Sequence, residues 1–219
     1  MKLINGVWLP DYEEHLISHV QFGRAHKGRG TYQLRKFERA MDEVKSFRHA
    51  VDIGAHVGLW SWVMADKFET VTCFEPSPVQ AECFRANMSE CQNVVFHQVA
   101  IGREAGTLEM ISPNDNSGNT RAVKPSGEER VDFVAECRTL DSYELQDVDF
   151  MKVDVEGFEL NVIVGAIETI KRCKPVIVVE QKPKNAERHG FAQFSAIDML
   201  ARIGMKEAAV ISGDHILIW

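Results

Sequence analysis

A tight glycine turn between an apolar strand and a helix constrains this chain more than any other feature. His49-Ala50-Val51-Asp52-Ile53-Gly54 reads as a buried strand, and residues 57–68 read as the helix that follows. Gly54 and Gly58 let the backbone turn sharply and approach a ligand with no Cβ in the way. The N–H groups at the helix N-terminus can receive a carboxylate. Asp52, at the strand end, can accept a bond from a ligand ammonium group or a nearby N–H. The alternative is a strand–helix turn that holds no ligand.

Strands and helices alternate from this point on. Thr70 to Glu75 reads as a second strand, Asn93 to Ile101 as a third, Phe150 to Val155 as a fourth and Pro175 to Glu180 as a fifth. Ser77, Pro78 and Gln80 form an N-cap, first helical position and capping box for a helix with Val79, Cys83, Phe84 and Met88 on its apolar face. A helix after Gly157 buries Leu160, Ile163, Val164, Ile167 and Ile170. Another carries Phe194, Ile197 and Ala201 and ends near Gly204. Upstream, Leu34, Phe37, Met41 and Val44 recur at helical spacing, while residues 1–31 read as irregular. Residues 106–140 hold Pro113, Gly118, Pro125 and Gly127, then an alternating run from Val131 to Thr139. They read as an inserted β-hairpin with a polar tip. Ala208 to Ile211 and His215 to Trp219 flank Ser212-Gly213-Asp214, a connection so short that the two runs must pair antiparallel.

The fold expected is therefore α/β: a doubly wound, mostly parallel seven-stranded sheet with an antiparallel C-terminal strand, Rossmann-like, carrying an inserted β-hairpin. Its ligand site should lie outside the carboxyl ends of the strands, where the connections reverse direction. With 219 residues a single compact domain is expected, in which 1–48 form an N-terminal segment and helix covering the site and 49–219 form the main domain.

Composition narrows the partners. Lys and Arg number 25 against 32 Asp and Glu, a formal charge of -7. Such a surface repels phosphate backbones, so no nucleic acid is expected. Arg24, His26, Lys27 and Arg29 form one basic cluster, read as a solvated loop. No apolar run is long enough to span a bilayer, and the first residues lack the pattern of a signal peptide. No membrane partner and a cytoplasmic location are expected. The five cysteines show no C-x-x-C pair, and Cys73 and Cys173 read as small core residues.

Two further motifs bear on chemistry. Glu75 ends the second strand, where a carboxylate can accept both hydroxyls of a ribose; the alternative is a solvated strand-end carboxylate. A dinucleotide site needs G-x-G-x-x-G, and the middle glycine position here is His56. The Gly54-x-x-x-Gly58 spacing suits a ligand with ribose and an amino-acid tail better than one with pyrophosphate. The other motif is Asp149-Phe150-Met151-Lys152-Val153-Asp154-Val155-Glu156-Gly157. Strand alternation puts Asp154 and Glu156 on one face. Two carboxylates so close repel, so one can have a raised pKa and serve as a base. The alternative is that Glu156 caps the next helix and Asp154 bonds a loop.

At this point the sequence resembles the FkbM family of S-adenosylmethionine-dependent methyltransferases. The resemblance rests on Val51 to Gly58, Phe74-Glu75-Pro76-Ser77-Pro78, Asn93 to Phe96 with Ala100-Ile101-Gly102, Thr139-Leu140-Asp141 and Met151 to Leu160. The K-x-D-x-E-G-x-E element is its most specific piece. The resemblance implies a class I methyltransferase fold over 49–219, S-adenosyl-L-methionine as cofactor, and methylation of a hydroxyl on a sugar or natural-product-like small molecule. It implies that Asp52, Gly54, Ala55, His56 and Gly58 line the methionine end, that Glu75 and Pro76 hold the ribose, and that Gln98 and Ala100 face the adenine. Asp154 is the first candidate base and Glu156 the second, with His56 and His215 as outside candidates.

The competing readings are an RNA or protein methyltransferase on the same fold and a catalytically silent module that keeps the cofactor pocket. No metal site is expected, although Asp154 with Glu180 and Gln181 could hold magnesium or calcium. Residues 20–35, with Tyr32 and Gln33, are expected to close over the cofactor.

Overall fold

The computed structural model describes residues 1–113, 116–123 and 129–219. Two short helices, α1 (His15–Phe22) and α2 (Leu34–Met41), precede the sheet. Then follow β1 (His49–Ile53), α3 (Leu59–Ala65), β2 (Thr70–Phe74), α4 (Pro78–Asn87), β3 (Val94–His97), β4 (Val148–Val153), α5 (Glu159–Gly165), α6 (Ile167–Cys173), β5 (Val176–Glu180), α7 (Ser195–Arg202), β6 (Lys206–Ile211) and β7 (Asp214–Ile218). The seven strands form one sheet in the order β6-β7-β5-β4-β1-β2-β3. All pairs among β3, β2, β1, β4 and β5 are parallel, and β7 runs antiparallel to both neighbours.

Strand alternation divides the core into two layers. Val51, Ile53, Met151, Val153, Ile177 and Val179 pack against α5, α6 and α7 through Ile163, Ile170 and Leu200. Ala50, Phe150, Val178, Val71 and Cys73 pack on the other side against Phe37, Trp60, Val63 and Phe84 of α2, α3 and α4. Covering both faces is what makes β5 apolar from Val176 to Val179. Successive strands are laid outward in opposite directions from the parallel neighbours β1 and β4, and this is the switch point. Among the described residues no helix is long and apolar enough to cross a membrane.

Several expectations change. The third strand does not run unbroken to Ile101. Val94–His97 stays in the main sheet, whereas Ala100–Ile101 leaves it and pairs with Phe133–Arg138. That second strand also pairs with Gly106–Ile111, which in turn pairs with Arg121–Ala122, so the inserted hairpin is part of a four-stranded sheet. Pro125 and Gly127 lie outside the described residues. Residues 1–31 are not irregular: Lys2–Ile4 pairs with Val7–Leu9, Ala25–His26 pairs with Arg29–Gly30, and α1 lies between the hairpins. Both hairpins turn on an X-Gly dipeptide at positive φ, Asn5-Gly6 and Lys27-Gly28, the dihedral sign a two-residue turn requires. Ser212-Gly213 does the same between β6 and β7. On α7 the buried residues are Ala196 and Leu200, with Phe194 exposed, because Phe194 precedes the first helical turn. Ser77 caps α4 by accepting the Gln80 N–H, but the capping box is not closed. The buried Gln80 side chain reaches instead to Ser117 O and Thr120 Oγ1 in the insertion, 2.9 Å from each.

Candidate active site

A cleft of about 1160 Å³, open solvent at its mouth included, lies over the carboxyl ends of β1, β2, β4 and β5. Of the residues expected to hold a cofactor, Gly54, Ala55, His56, Glu75, Pro76 and Ala100 line it. Asp52, Gly58 and Gln98 do not. Asp52 is fully buried on the α3 side of β1, where its Oδ2 accepts the Ser61 hydroxyl at 2.6 Å. Gly58 precedes α3 as its N-cap at φ +90, with the Phe84 ring and Met88 tip packed against it. Gln98 is exposed and accepts a bond from Arg85 Nη2 at 2.8 Å. The chain bends away from the sheet after His97, which turns Val99, Ala100 and Ile101 inward instead.

Glu75 is 5% exposed, and its two oxygens accept the His56 N–H at 3.0 Å and the Ser77 N–H at 2.9 Å. Each oxygen retains a lone pair that can accept a ligand hydroxyl. Burial outweighs the two N–H bonds and lifts this carboxyl to about 7. His56, at φ 55, places its Nε2 2.7 Å from Ser117 Oγ. Burial pushes the imidazole down to about 4, so it is neutral. His215 lies outside the cleft, paired with Glu207 between the terminal strands.

The covering elements are bolted to this turn. Glu13 is fully buried; its Oε1 accepts the Leu16 N–H at 2.7 Å, and its Oε2 accepts both the Ser117 N–H, at 2.8 Å, and the Ser117 hydroxyl. One carboxylate therefore joins the start of α1 to the insertion. Tyr32 and Gln33 also line the cleft, and Gln33 Oε1 accepts the Trp60 indole N–H at 3.1 Å.

Beside the glycine turn the cleft holds interleaved charges. Asp154, Glu156 and Glu180 bring carboxylate oxygens within 4.8 Å of one another. Lys182 Nζ lies 2.8 Å from Glu180 and 3.1 Å from Glu156, and Lys152 Nζ lies 3.3 Å from Asp154. These three carboxylates could together hold a metal ion, and two lysines of the chain lie among them. Gln181 is buried and turned toward Glu159. Burial pushes Asp154 up, but Lys152 and Lys182 outweigh it and hold the carboxyl below its usual range. Burial, then the Asp154 charge, raise Glu156, and the same causes raise Glu180 to about 9.

The pleat alone does not bring Asp154 and Glu156 together, because β4 ends at Val153. Glu156 (φ 54) and Gly157 (φ 110) take left-handed conformations that fold the chain back. A Cβ on Gly157 would stand 2.3 Å from Asn185 O, so glycine is required there. Glu159 Oε1 accepts the Gly157 N–H at 2.9 Å and the Val155 N–H at 3.3 Å, and Asn185 Nδ2 donates to Glu156 at 2.8 Å. Sequence reasoning missed Lys152, Lys182, Glu13 and Ser117 as site residues. Only Lys152 had a signal, as a lysine inside an otherwise apolar strand.

These burial shifts have a consequence for stability. Glu75 and Glu159 are raised to about 7 and Glu180 to about 9, against 4.5 for an ordinary glutamate. The folded protein therefore keeps protons that the unfolded chain has lost. The stability these groups contribute is complete below their unfolded pKa and lost as pH rises through 7 to 9. The Tm of the ligand-free protein is expected to fall between about pH 5.5 and pH 8.5, and to fall less in Glu180→Gln. A thermal melt series checks this; a flat or rising Tm in the wild type contradicts it.

Residues 52–206 match the family model described as the methyltransferase FkbM domain. Methyltransferase 1 of Beauveria bassiana (strain ARSEF 2860) is 28% identical over 146 residues, covering 52% of this chain and 57% of its own length. The 2-O-methyltransferase NoeI of Sinorhizobium fredii (strain NBRC 101917 / NGR234) is 31% identical over 120 residues, covering 47% of this chain and 49% of its own. The chain thus spans about half the length of these curated relatives. The crystal structure of methyltransferase FkbM from Methylobacillus flagellatus KT superposes with a TM-score of 0.50 at 19% identity, over 78% of this chain and 43% of that one. That likeness shows the class I methyltransferase fold. Because the family match takes in well over half of the residues, including the glycine turn, Glu75 and the whole carboxylate–lysine cluster, the chain belongs to the FkbM methyltransferase domain family.

Proposed function

We propose that this protein is an S-adenosylmethionine-dependent O-methyltransferase acting on a hydroxyl of a sugar-like or natural-product-like small molecule. The observation that carries this reading is the cleft itself, which brings a glycine turn and Glu75 together with Asp154, set among lysines and carboxylates. The cofactor suits the residues present. Gly54 lets the turn pack directly on the end of β4, where a Cβ would meet Asp154 O at 1.8 Å. Glu75 keeps acceptor capacity for two ribose hydroxyls. His56, bonded to Ser117, stands where a pyrophosphate-binding turn needs its second glycine. With Asp52 committed to Ser61 and Lys152, the methionine end falls to the Gly54–His56 turn. The name of the relative NoeI, a 2-O-methyltransferase, supports transfer to oxygen.

The cofactor, when bound, supplies a methyl group already activated by a positive sulfur, so positioning accounts for much of the rate. An attacking hydroxyl becomes acidic as it reacts and needs a carboxylate in reach. Asp154, held ionised, takes that proton; Glu180, raised to about 9, is protonated at neutral pH and can hydrogen-bond an acceptor oxygen. The covering elements anchored by Glu13 and Gln33 keep water from the reacting oxygen.

Calorimetry with S-adenosylhomocysteine and NAD, followed by turnover on a panel of glycans and hydroxylated metabolites, tests this. S-Adenosylhomocysteine is expected to bind and NAD is not. Glu75→Ala is expected to weaken the former by about 1.5–3 kcal/mol, the scale of a charged hydrogen bond. Unchanged affinity removes Glu75 as the ribose ligand. Methyl transfer confined to nitrogen or RNA overturns the acceptor class.

A further inference from the structure

We propose that Lys152 is the positioning residue of the reaction: from within β4 it orients Asp154 and selects it, among the three clustered carboxylates, as the one that carries the charge. This rests on the reading of Asp154 as the base.

Lys152 is 5% exposed, and its Nζ meets three partners, one on β1 and two just past the ends of β1 and β4. It donates to Gly54 O at 3.3 Å, lies 3.3 Å from Asp154 Oδ2 and lies 3.7 Å from Asp52 Oδ1. Lys152 and Asp52 are register partners of β4 and β1, so the ammonium sits at the switch point. Asp154 N–H donates to Ile53 O at 3.1 Å, fixing the backbone of the same residue. Stability alone does not explain such a lysine. A buried ion pair is often replaceable by apolar side chains at no cost, so it is weak grounds for a purely structural role. A lysine serving only Asp52 would sit closest to Asp52, and this one is closer to Asp154 and to the carbonyl of the cofactor turn.

Among the groups around Asp154 this lysine has the largest part in the selection, with Lys182 and a hydrogen bond with Glu180 adding to it. Glu180 and Lys182 face it from β5 and the segment that follows. Glu156 and Glu159 face it from the turn after β4, and Asp52 from β1. His56 belongs to the cofactor turn and is neutral. Tyr32 approaches from the covering segment, and Asp214, on β7, is paired with Lys36 at 2.9 Å. Among the described residues, the cation within ion-pair distance of Asp154 is Lys152. The Lys182 side chain is 46% exposed and bound to Glu156 and Glu180, so solvent screens it more strongly. Remove Lys152, and three carboxylates share one screened cation.

The test needs no acceptor. Lys152→Met leaves Asp52 buried and unpaired and is expected to lower Tm, so the decisive variant is Lys152→Met with Asp52→Asn, which removes both charges together. Carbon-13 NMR of carboxyl-labelled protein, with the Asp154 signal assigned through Asp154→Asn, gives the Asp154 titration in each form. In the double variant Tm is expected to recover toward wild type while the Asp154 midpoint rises by about 1–3 pH units, the usual effect of losing an adjacent opposite charge. A purely structural lysine predicts recovered Tm with an unmoved midpoint, and that result overturns the proposal. Turnover of Asp154→Asn separately judges the base reading, so the two can fail independently.

Discussion

Replacing Asp154 with asparagine is expected to lower turnover by about a hundred- to ten-thousandfold, the cost of losing a positioned base, while leaving the fold intact. The side chain faces the cleft, and its direct ion-pair partner, Lys152, is already shared with Asp52 and the Gly54 carbonyl. An amide of the same shape keeps the packing but cannot take a proton. S-Adenosylhomocysteine affinity measured in parallel separates a lost base from a lost cofactor contact. Glu156 is the second candidate, but burial and the Asp154 charge both raise it and Lys182 and Asn185 both hold it. Glu156→Gln should therefore cost less than Asp154→Asn. If both variants keep near-full turnover, positioning alone drives the reaction and neither carboxylate is the base.

Gly54→Ala is expected to destabilise the protein by about 3–5 kcal/mol, at the severe end for one substitution, and to abolish S-adenosylhomocysteine binding. Two costs combine. Gly54 has φ +78, where a side chain is strained, and its Cβ would stand 1.8 Å from Asp154 O. Nothing there gives easily, because the Asp154 N–H is bonded to Ile53 O and the Gly54 N–H to Phe74 O. Urea titration gives the stability change and calorimetry the binding. A variant with wild-type stability would mean that the turn and the end of β4 separate freely, and the close approach of cofactor turn and base would lose its physical basis.

The glycine turn, Glu75 and the carboxylates after β4 were legible because strand ends and turns are coded locally. A glycine at positive φ, an acidic residue after an apolar run and a Ser-Pro helix start need only a few neighbours to interpret. The sheet was legible for the same reason: buried parallel strands are short apolar runs, and the short link at Ser212-Gly213 left the last two strands one way to pair. The N-terminal hairpins carry comparable local signals in Asn5-Gly6 and Lys27-Gly28, within a segment that otherwise reads as irregular.

What local coding could not supply was the direction of side chains whose partners lie far along the chain. Asp52 looks like a ligand-facing carboxylate until β4 is laid beside β1 and Lys152 and Ser61 claim it. Gln98 looks like an adenine contact until the chain leaves the sheet after His97 and turns Ala100 inward instead. Glu13 and Ser117 are 104 positions apart and meet in one buried hydrogen-bonded junction. The sequence by itself determined the elements, their order and the turn that opens the cleft, because backbone geometry at glycines and apolar strands is a short-range matter. Which carboxylates face that cleft, which are spent on buried lysines and which one stays charged was decided only by the tertiary structure, because burial and the distance to an opposite charge exist only once the strands are side by side.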